Sequence, residues 1–227
     1  MIDKSKYKRI DLHSHTLFSD GELIPSELLR RAAVKGYQVL AVTDHCDWAN
    51  VEVFLPQLVA FQKYAKDFDV LFLPGVEITH TPPEQIAPLA KRARELGAMI
   101  VGVHGETIVE PVAKGTNLAA AKCADVDYVA HPGLIDEESV REAVKNNIYL
   151  EITTRGGHSF GNGHTAKMAK KYGAKLILNS DSHHPRDLTS FKDAFDVGLG
   201  CGMEEQDVFD AMITNPTELL KKRGVII

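Results

Sequence analysis

A repeated pattern of apolar and polar positions runs along the chain. Short apolar runs alternate with amphipathic stretches that end at Gly or Asn. A glycine or asparagine just after a helix commonly supplies its left-handed cap, and a short run of only apolar residues is typical of a buried parallel strand. The pattern predicts helices at 27–35, 84–96, 140–145, 166–172 and 215–223. It predicts seven strands at 10–12, 38–43, 70–73, 99–103, 128–130, 148–153 and 175–179.

The spacing of these strands favours a closed parallel sheet. Polar residues at the ends of successive strands are 22 to 32 residues apart, which is about one β–α unit each time. Side chains able to bind metal follow six of the seven strands, whereas a doubly wound open sheet gathers its ligands at one switch point. Ligands from so many strands converge only at a barrel mouth. We therefore predict an α/β fold, an irregular TIM-barrel-like (β/α)7 barrel in one domain over 1–227, with a metal site at the C-terminal mouth.

The composition of the chain argues against several classes of function. The chain has 31 acidic and 26 basic residues, so it carries no global positive field for DNA or an anionic membrane. The apolar runs are far shorter than the roughly 20 residues that span a bilayer, and residues 1–9 lack the apolar core of a signal peptide. The three cysteines form no CxxC pair, which argues against a disulfide framework or a thiolate zinc site. We expect a cytoplasmic protein that is not bound to membranes.

The polar residues at the strand ends suggest a metal cluster. His13 and His15 lie at positions i and i+2, on the same face of an extended chain, where they can chelate one ion. A single pair of this kind is weak evidence, because histidines often have structural roles. Nine imidazoles and carboxylates at one mouth would be costly to desolvate without partners. The nine candidate ligands are His13, His15, Asp20, His45, Glu77, His104, His131, Asp181 and His183.

Seven short motifs carry these residues: DLHSHT, SDG, TDH, PGVE, VHGE, AHPG and SDSH. Their order and spacing between residue 10 and about residue 190 resemble the PHP superfamily, named for polymerase and histidinol phosphatase. The motifs HGET, GTN and EITTRGGHSFGNGH are similar to a compact subgroup of histidinol phosphate phosphatase domain proteins. The resemblance implies a distorted seven-stranded barrel that is a single PHP domain, with two or three divalent ions of Zn, Mn or Fe.

The resemblance also implies three ligand sets. His13, His15, Glu77 and Asp181 would hold one ion. Glu77 would bridge to a second ion held by His104 and His131, and a third ion would be held by Asp20, His45 and His183.

The charge of such a cluster favours phosphate chemistry. Three divalent ions and three carboxylates would leave a charge of about +3, which favours phosphate over a neutral amide. We predict a hydrolase, a metal-dependent phosphoesterase that uses a metal-bound hydroxide on a small phosphomonoester such as histidinol phosphate. Glu77 and Asp181 are the predicted catalytic residues. Arg155 and His158 are predicted to contact the substrate, although a salt bridge explains Arg155 equally well.

The sequence is compatible with other functions. A phosphodiesterase or exonuclease would need a basic, aromatic-lined groove, and the net charge of −5 makes nucleic acid a less favoured partner without excluding a local groove. Related metal barrels hydrolyse amides, and a non-catalytic metal-binding regulatory module is a further alternative. The sequence pattern does not indicate whether the protein is a monomer or an oligomer.

Three more acidic residues have two interpretations each. Asp11 and Asp44 precede candidate ligands, so they either orient imidazoles or cap strand ends. Glu106 either donates a proton to a leaving group or pairs with a surface base such as Lys114.

Overall fold

Seven parallel strands form a nearly closed barrel in the computed structural model, which describes residues 2–227. These seven, together with the short extra strand β3, are β1 (Arg9–Asp11), β2 (Tyr37–Val42), β3 (His45–Cys46), β4 (Leu71–Ile78), β5 (Ile100–His104), β6 (Tyr128–Ala130), β7 (Tyr149–Thr153) and β8 (Leu176–Asn179). Hydrogen bonds join them in the order β1-β2-β4-β5-β6-β7-β8, and the two-residue β3 pairs with β4 outside this path. The predicted seven-stranded barrel is confirmed.

Helices follow most strands and cover the outside of the barrel. They are α1 (Pro25–Val34), α2 (Val51–Ala65), α3 (Pro83–Glu95), α4 (Thr116–Lys122), α5 (Glu137–Asn146), α6 (Asn162–Tyr172), α7 (Phe191–Gly200), α8 (Glu205–Phe209) and α9 (Asn215–Lys222). Asn147 and Gly173 follow α5 and α6 with φ of 54° and 78°, so these helices end in the left-handed caps that the sequence predicts. None of the helices within 2–227 is long and apolar enough to cross a membrane.

The barrel closes where β1 and β8 continue beyond their regular ends. Ser14 and Ser182 form an isolated parallel bridge, and the His15 amide donates to the carbonyl oxygen of Ser182 at 2.9 Å. Below this bridge the guanidinium of the buried Arg9 donates a hydrogen bond to the Leu178 carbonyl oxygen at 2.8 Å. This side-chain hydrogen bond joins β1 to β8 in place of regular strand pairing. The closure places segments 13–15 and 181–183 side by side at the C-terminal mouth.

Strand β4 is longer than the predicted strand 70–73, because Pro74 and Gly75 lie inside it rather than in a turn. Pro74 pairs with Val42 of β2, and the upper half of the strand then pairs with β3, with Glu77 opposite His45. A Cβ at Gly75 would lie 2.6 Å from the Ile100 carbonyl oxygen, so the neighbouring strand approaches too closely for a side chain. As a result Glu77 stands within the strand and is fully buried.

The barrel interior is filled by apolar side chains below the mouth. Ile10, Val39, Leu73 and Ile100 belong to one buried cluster that α9 closes from beneath with Leu219 and Leu220. A larger cluster fills the space between the strands and the surrounding helices. The candidate metal ligands therefore lie at the upper end of the interior, above this apolar layer.

Candidate metal centre

His13 and His15 face each other at the barrel mouth. Their Nε2 atoms are 3.0 Å apart, and both side chains are fully buried. Ser14 between them points the other way and donates from its hydroxyl to the Ala41 carbonyl oxygen at 2.6 Å. The alternation of an extended chain thus places both imidazoles on the inner side, as the i, i+2 spacing predicts.

Two buried carboxylates lie beside this pair. Glu77 Oε2 is 3.4 Å from Nε2 of His13, and Asp181 Oδ1 is 3.3 Å from Nε2 of His15. Ligand atoms that bind one Zn²⁺ at 2.0–2.1 Å with tetrahedral angles are about 3.3 Å apart. His13, His15 and Glu77 therefore have the atom separations of a single coordination sphere, and Asp181 lies within 3.6 Å of both imidazoles.

The Glu77 carboxylate lacks ordinary hydrogen bonds. Neither oxygen has a hydrogen bond of acceptable geometry among residues 2–227, although His45 Nδ1 approaches Oε2 at 2.8 Å. A buried ionised carboxylate without hydrogen bonds is costly unless a cation compensates its charge. The donor set consists of imidazole nitrogens and carboxylate oxygens, which suits Zn²⁺, Mn²⁺ or Fe. The residues present thus fit a divalent metal.

The electrostatics of the site favour ionised Glu77 and neutral His15. Burial raises the pKa of Glu77, but the charges of His13 and His45 outweigh it and hold that pKa well below its usual range. Burial, together with the neighbouring His45, His183 and His13, holds the pKa of His15 well below its ordinary value. Glu77 and His15 are thus already in the forms that bind metal, whereas His13 and His45, whose charges keep Glu77 ionised, would give up a proton to an incoming ion.

The second predicted set lies on the β5 and β6 side of the mouth. His131 Nε2 is 3.4 Å from Glu77 Oε1, and the rings of His131 and His104 are 4.5 Å apart between centroids. His131 and Asp181 adopt positive φ values of 28° and 53°. Such backbone conformations cost about 1–3 kcal/mol and concentrate at functional sites.

The third predicted set lies at the outer rim. Asp20 Oδ1 is 3.1 Å from His183 Nε2 and 3.5 Å from His45 Nε2. Asp20 is 55% exposed, so this set borders solvent. All nine candidate ligands therefore converge on one mouth, in three neighbouring groups that connect through Glu77, His15 and Asp181.

Comparison with known proteins identifies the family. Residues 11–172 match the sequence profile of the PHP domain. The chain belongs to the PHP domain family. This agrees with the resemblance drawn from the seven motifs.

Three relatives align with most of this PHP domain. An uncharacterized protein of Methanocaldococcus jannaschii is 44% identical, with 94% of this chain and 99% of the relative covered. Ribonuclease P protein component 3 of Methanosarcina mazei is 25% identical over 89% of this chain and 85% of its own. A probable phosphatase of a Thermoanaerobacter species is 28% identical over 94% and 95%.

Two solved structures share the fold of this PHP domain. A chain in the cryo-EM structure of archaeal ribonuclease P with mature tRNA has a TM-score of 0.71 and 14% identity, covering 93% of this chain and 90% of its own. Histidinol phosphate phosphatase from Lactococcus lactis, crystallised with zinc, L-histidinol and phosphate, has a TM-score of 0.57 and 17% identity, covering 96% and 95%. At these identities the likeness concerns the fold alone.

The two predicted substrate-binding residues have different surroundings in this PHP domain. Arg155 lies at the mouth with Nε 3.9 Å from Asp181 Oδ2, while its NH1 group donates to Asp187 Oδ2 at 3.2 Å. The structure thus contains the salt bridge, and a phosphate contact by Arg155 stays a prediction. His158 is buried and stacks on His131 at 4.2 Å between centroids, so it belongs to the histidine cluster itself.

Glu151 is a functional residue that the strand-end reasoning missed. It lies in the middle of β7, fully buried, and accepts a hydrogen bond from His13 Nδ1 at 2.8 Å. Its other oxygen accepts from the His131 amide at 3.0 Å, and Asn179 Nδ2 donates to the first at 2.8 Å. The signal in the sequence is a lone carboxylate inside the apolar run IYLEIT, where it needs buried partners.

Asp11 and Asp44 act as caps rather than as imidazole acceptors. Asp44 accepts from the amide and hydroxyl of Thr16 at 2.7 Å each and from the Ser19 hydroxyl at 2.6 Å. Asp11 accepts from the Ser180 amide at 3.1 Å and lies 3.6 Å from the Arg9 guanidinium at the seam between β1 and β8. Both therefore fix the ligand-bearing segments through the backbone and neighbouring side chains.

Glu106 has a structural role that neither interpretation anticipated. Its Oε1 atom accepts hydrogen bonds from the amides of Gly115 and Asn117, each at 3.0 Å, at the N-terminus of α4. The carboxylate caps this helix from the loop after β5 and thereby holds that loop in place.

Glu151→Gln is expected to weaken metal binding about 10- to 100-fold, because an amide cannot hold the His13 Nδ1 proton as firmly as a carboxylate. Without that hydrogen bond the Nε2 lone pair of His13 is no longer fixed toward the centre. Competitive Zn²⁺ titration of wild type and of Glu151→Gln measures the change in metal affinity. Glu138→Gln on the exposed side of α5 is the control, and equal affinity of Glu151→Gln and wild type would contradict the assigned role.

Proposed function

We propose that this PHP domain is a metal-dependent phosphoesterase that hydrolyses a small phosphomonoester. The observation that carries the proposal is the buried Glu77 carboxylate, which lacks ordinary hydrogen bonds and lies between imidazoles of all three predicted ligand sets. A cluster of divalent ions in this position offers strong positive charge at the open end of the barrel, where a phosphate can reach it.

The chain's own residues would hold two to three ions of Zn, Mn or Fe. His13, His15, Glu77 and Asp181 would hold the first ion. His104 and His131 would hold the second with Glu77, and Asp20, His45 and His183 would hold the third. When bound, closely spaced divalent ions lower the pKa of a coordinated water and neutralise charge on phosphoryl oxygens.

Arg155 and the rim would position the substrate. The Arg155 guanidinium is a quarter exposed beside Asp181, and Asp187 orients it from the outer side. It can therefore offer N–H groups to a phosphate that approaches from solvent. Phe160 and Leu134 in the loops after β7 and β6 are 72% and 67% exposed. They provide apolar contacts for the organic part of the ester.

Similar proteins support the same class of reaction. The Thermoanaerobacter relative is named as a probable phosphatase, and the Lactococcus neighbour is a histidinol phosphate phosphatase with zinc and phosphate in its structure. Histidinol phosphate is therefore the first candidate among substrates.

An RNA-directed role is the second candidate. The relative from Methanosarcina is a protein component of ribonuclease P, and the archaeal ribonuclease P structure shares the fold over 93% of this chain. A domain of this kind would bind RNA or cleave a phosphodiester. Its net charge of −5 requires any RNA contact to be local.

A hydrolysis screen with metal analysis of the same sample tests the proposal. Protein purified without chelators is expected to carry two to three equivalents of transition metal and to release phosphate from monoesters, including histidinol phosphate, nucleotides or an aryl phosphate. Metal-stripped protein is the control and should be inactive.

Three results of that screen would contradict the proposal. Less than one equivalent of metal after reconstitution would remove the cluster. Cleavage of diesters without monoester turnover would favour the nuclease alternative. Tight tRNA binding by a metal-loaded but inactive protein would favour the ribonuclease P role.

A further inference from the structure

Glu110, in the loop between β5 and α4, contacts three histidines with its two carboxylate oxygens. Oε2 is 3.2 Å from Nε2 of both His104 and His80, and Oε1 is 3.3 Å from His158 Nε2. Glu110 is 37% exposed, whereas His104 and His158 are buried. The carboxylate therefore closes the solvent side of the histidine cluster.

The same cluster contains a triad of imidazoles. His104, His131 and His158 each offer one ring nitrogen, and these three atoms all lie within 4.8 Å of one another. His104 and His131 are the two histidines of the second predicted ligand set. His158, predicted to contact substrate, stands as close to both of them as a third ligand would.

The distances favour a shared ion over simple ion pairs. A charged N–H···O hydrogen bond has its heavy atoms about 2.7–2.9 Å apart, whereas two ligands of one tetrahedral Zn²⁺ are about 3.3 Å apart. Oε2 of Glu110 is 3.2 Å from His104 Nε2 and Oε1 is 3.3 Å from His158 Nε2, so one carboxylate oxygen faces each imidazole at the distance of a neighbouring metal ligand.

Packing between loops fixes this arrangement. His158 Nδ1 lies 3.0 Å from the Thr107 hydroxyl, which directs Nε2 toward Glu110. A Cβ at Gly157 would be 3.7 Å from Val109, so the loops after β5 and β7 are in contact. A Cβ at Gly133 would lie 2.1 Å from the Glu106 carbonyl oxygen. The loop after β6 therefore also packs closely against the loop after β5.

We propose that His158 and Glu110 join His104, His131 and Glu77 in holding the second ion. The inference rests on the metal centre of the proposed function and adds two ligands to it. A coordination sphere filled by protein ligands is typical of structural sites, while catalytic sites keep a position open. The second ion is then the most tightly held, and substrate meets the ions of the other two sets.

Zinc retention tests this ligand set without any measurement of hydrolysis. The full chain, loaded with Zn²⁺, is dialysed against nitrilotriacetate, and the zinc that remains is measured by elemental analysis. Wild type is expected to retain one equivalent under conditions that remove the other ions. Glu110→Gln and His158→Gln should each bind that ion at least about tenfold more weakly and lose it. Titration of the metal-free proteins with Co²⁺ should give one tightly bound equivalent fewer in both variants than in wild type.

Two matched variants serve as controls. Glu22 and His184 form a similar rim contact at 2.8 Å outside the cluster, so Glu22→Gln and His184→Gln should retain zinc as wild type does. Retention of the last equivalent by Glu110→Gln and His158→Gln would overturn the proposed ligand set, and so would its loss from both controls. A wild-type protein that retains zinc but hydrolyses no ester would contradict the proposed function and leave this result standing.

Discussion

Glu77→Gln is expected to remove metal binding and hydrolysis together. The substitution keeps the size of the side chain but replaces a fully buried, ionised carboxylate that lies between His13, His45 and His131. The amide supplies no charge to offset divalent ions, and its NH₂ group would face the imidazole nitrogens that should bind them. We expect turnover to fall by at least about 10²- to 10³-fold, the scale of losing a central electrostatic contact.

Elemental analysis and thermal melting check this expectation on the same samples. Wild type should gain thermal stability when Zn²⁺ or Mn²⁺ is added, because a ligand that binds only the folded state stabilises it. Glu77→Gln should show little of that gain. Glu106→Gln is the matched control, since Glu106 lies at the same mouth but caps α4. Full metal content and unchanged turnover in Glu77→Gln would mean that Glu77 has been misassigned.

The barrel was predictable because local pattern and global closure agree. Each strand of the main path coincides with an apolar run, and Asn147 and Gly173 end their helices at the expected places. The extent of β4 was not predictable, since Pro74 and Gly75 together normally indicate a turn. Only the neighbouring strand β5, whose Ile100 carbonyl oxygen approaches Gly75, explains why the strand continues.

The convergence of the nine candidate ligands was predictable because most of them lie at or just beyond strand ends, where a barrel brings distant residues together. Glu151 was missed because it lies inside a strand, and the pattern does not reveal what a single buried carboxylate contacts. Glu110 was missed for another reason. It lies in a loop with no periodicity, six residues after His104, and its contact with His158 joins positions 48 residues apart. Such contacts depend on the packing of loops, which alternation of apolar and polar residues does not encode.

The contacts of Arg155 at the substrate side likewise depend on loop packing that the sequence pattern does not encode. Its position after β7 predicts a side chain at the mouth, and the structure places it there beside Asp181. Its partner Asp187 is 32 residues away in the segment after β8, and the Asp187 carboxylate also accepts from the amides of His183 and His184. The salt bridge thus ties Arg155 to the segment that carries two candidate ligands. Substitution can then separate phosphate capture from support of the metal centre.

Asp181→Asn and Arg155→Ala are expected to fail in different ways. Asp181→Asn removes a charge 3.3 Å from His15 Nε2, so metal content should fall and kcat should drop by about 10²- to 10³-fold. Arg155→Ala leaves the candidate ligands in place, so metal content should be unchanged. Loss of a charge-assisted contact to phosphate costs about 1.5 to 3 kcal/mol, or roughly 10- to 100-fold in kcat/KM. Most of that change should appear in KM if Arg155 holds the ground state and the transition state equally.

Steady-state kinetics with the best monoester, together with metal analysis, distinguish these outcomes. Arg186→Ala is the matched control, because Arg186 is 83% exposed and lies 3.9 Å from the other oxygen of Asp187. It should leave kcat/KM and metal content as in wild type. If Arg155→Ala kept full kcat/KM, or lost activity only in proportion to lost metal, Arg155 would serve the salt bridge to Asp187 and not the phosphate.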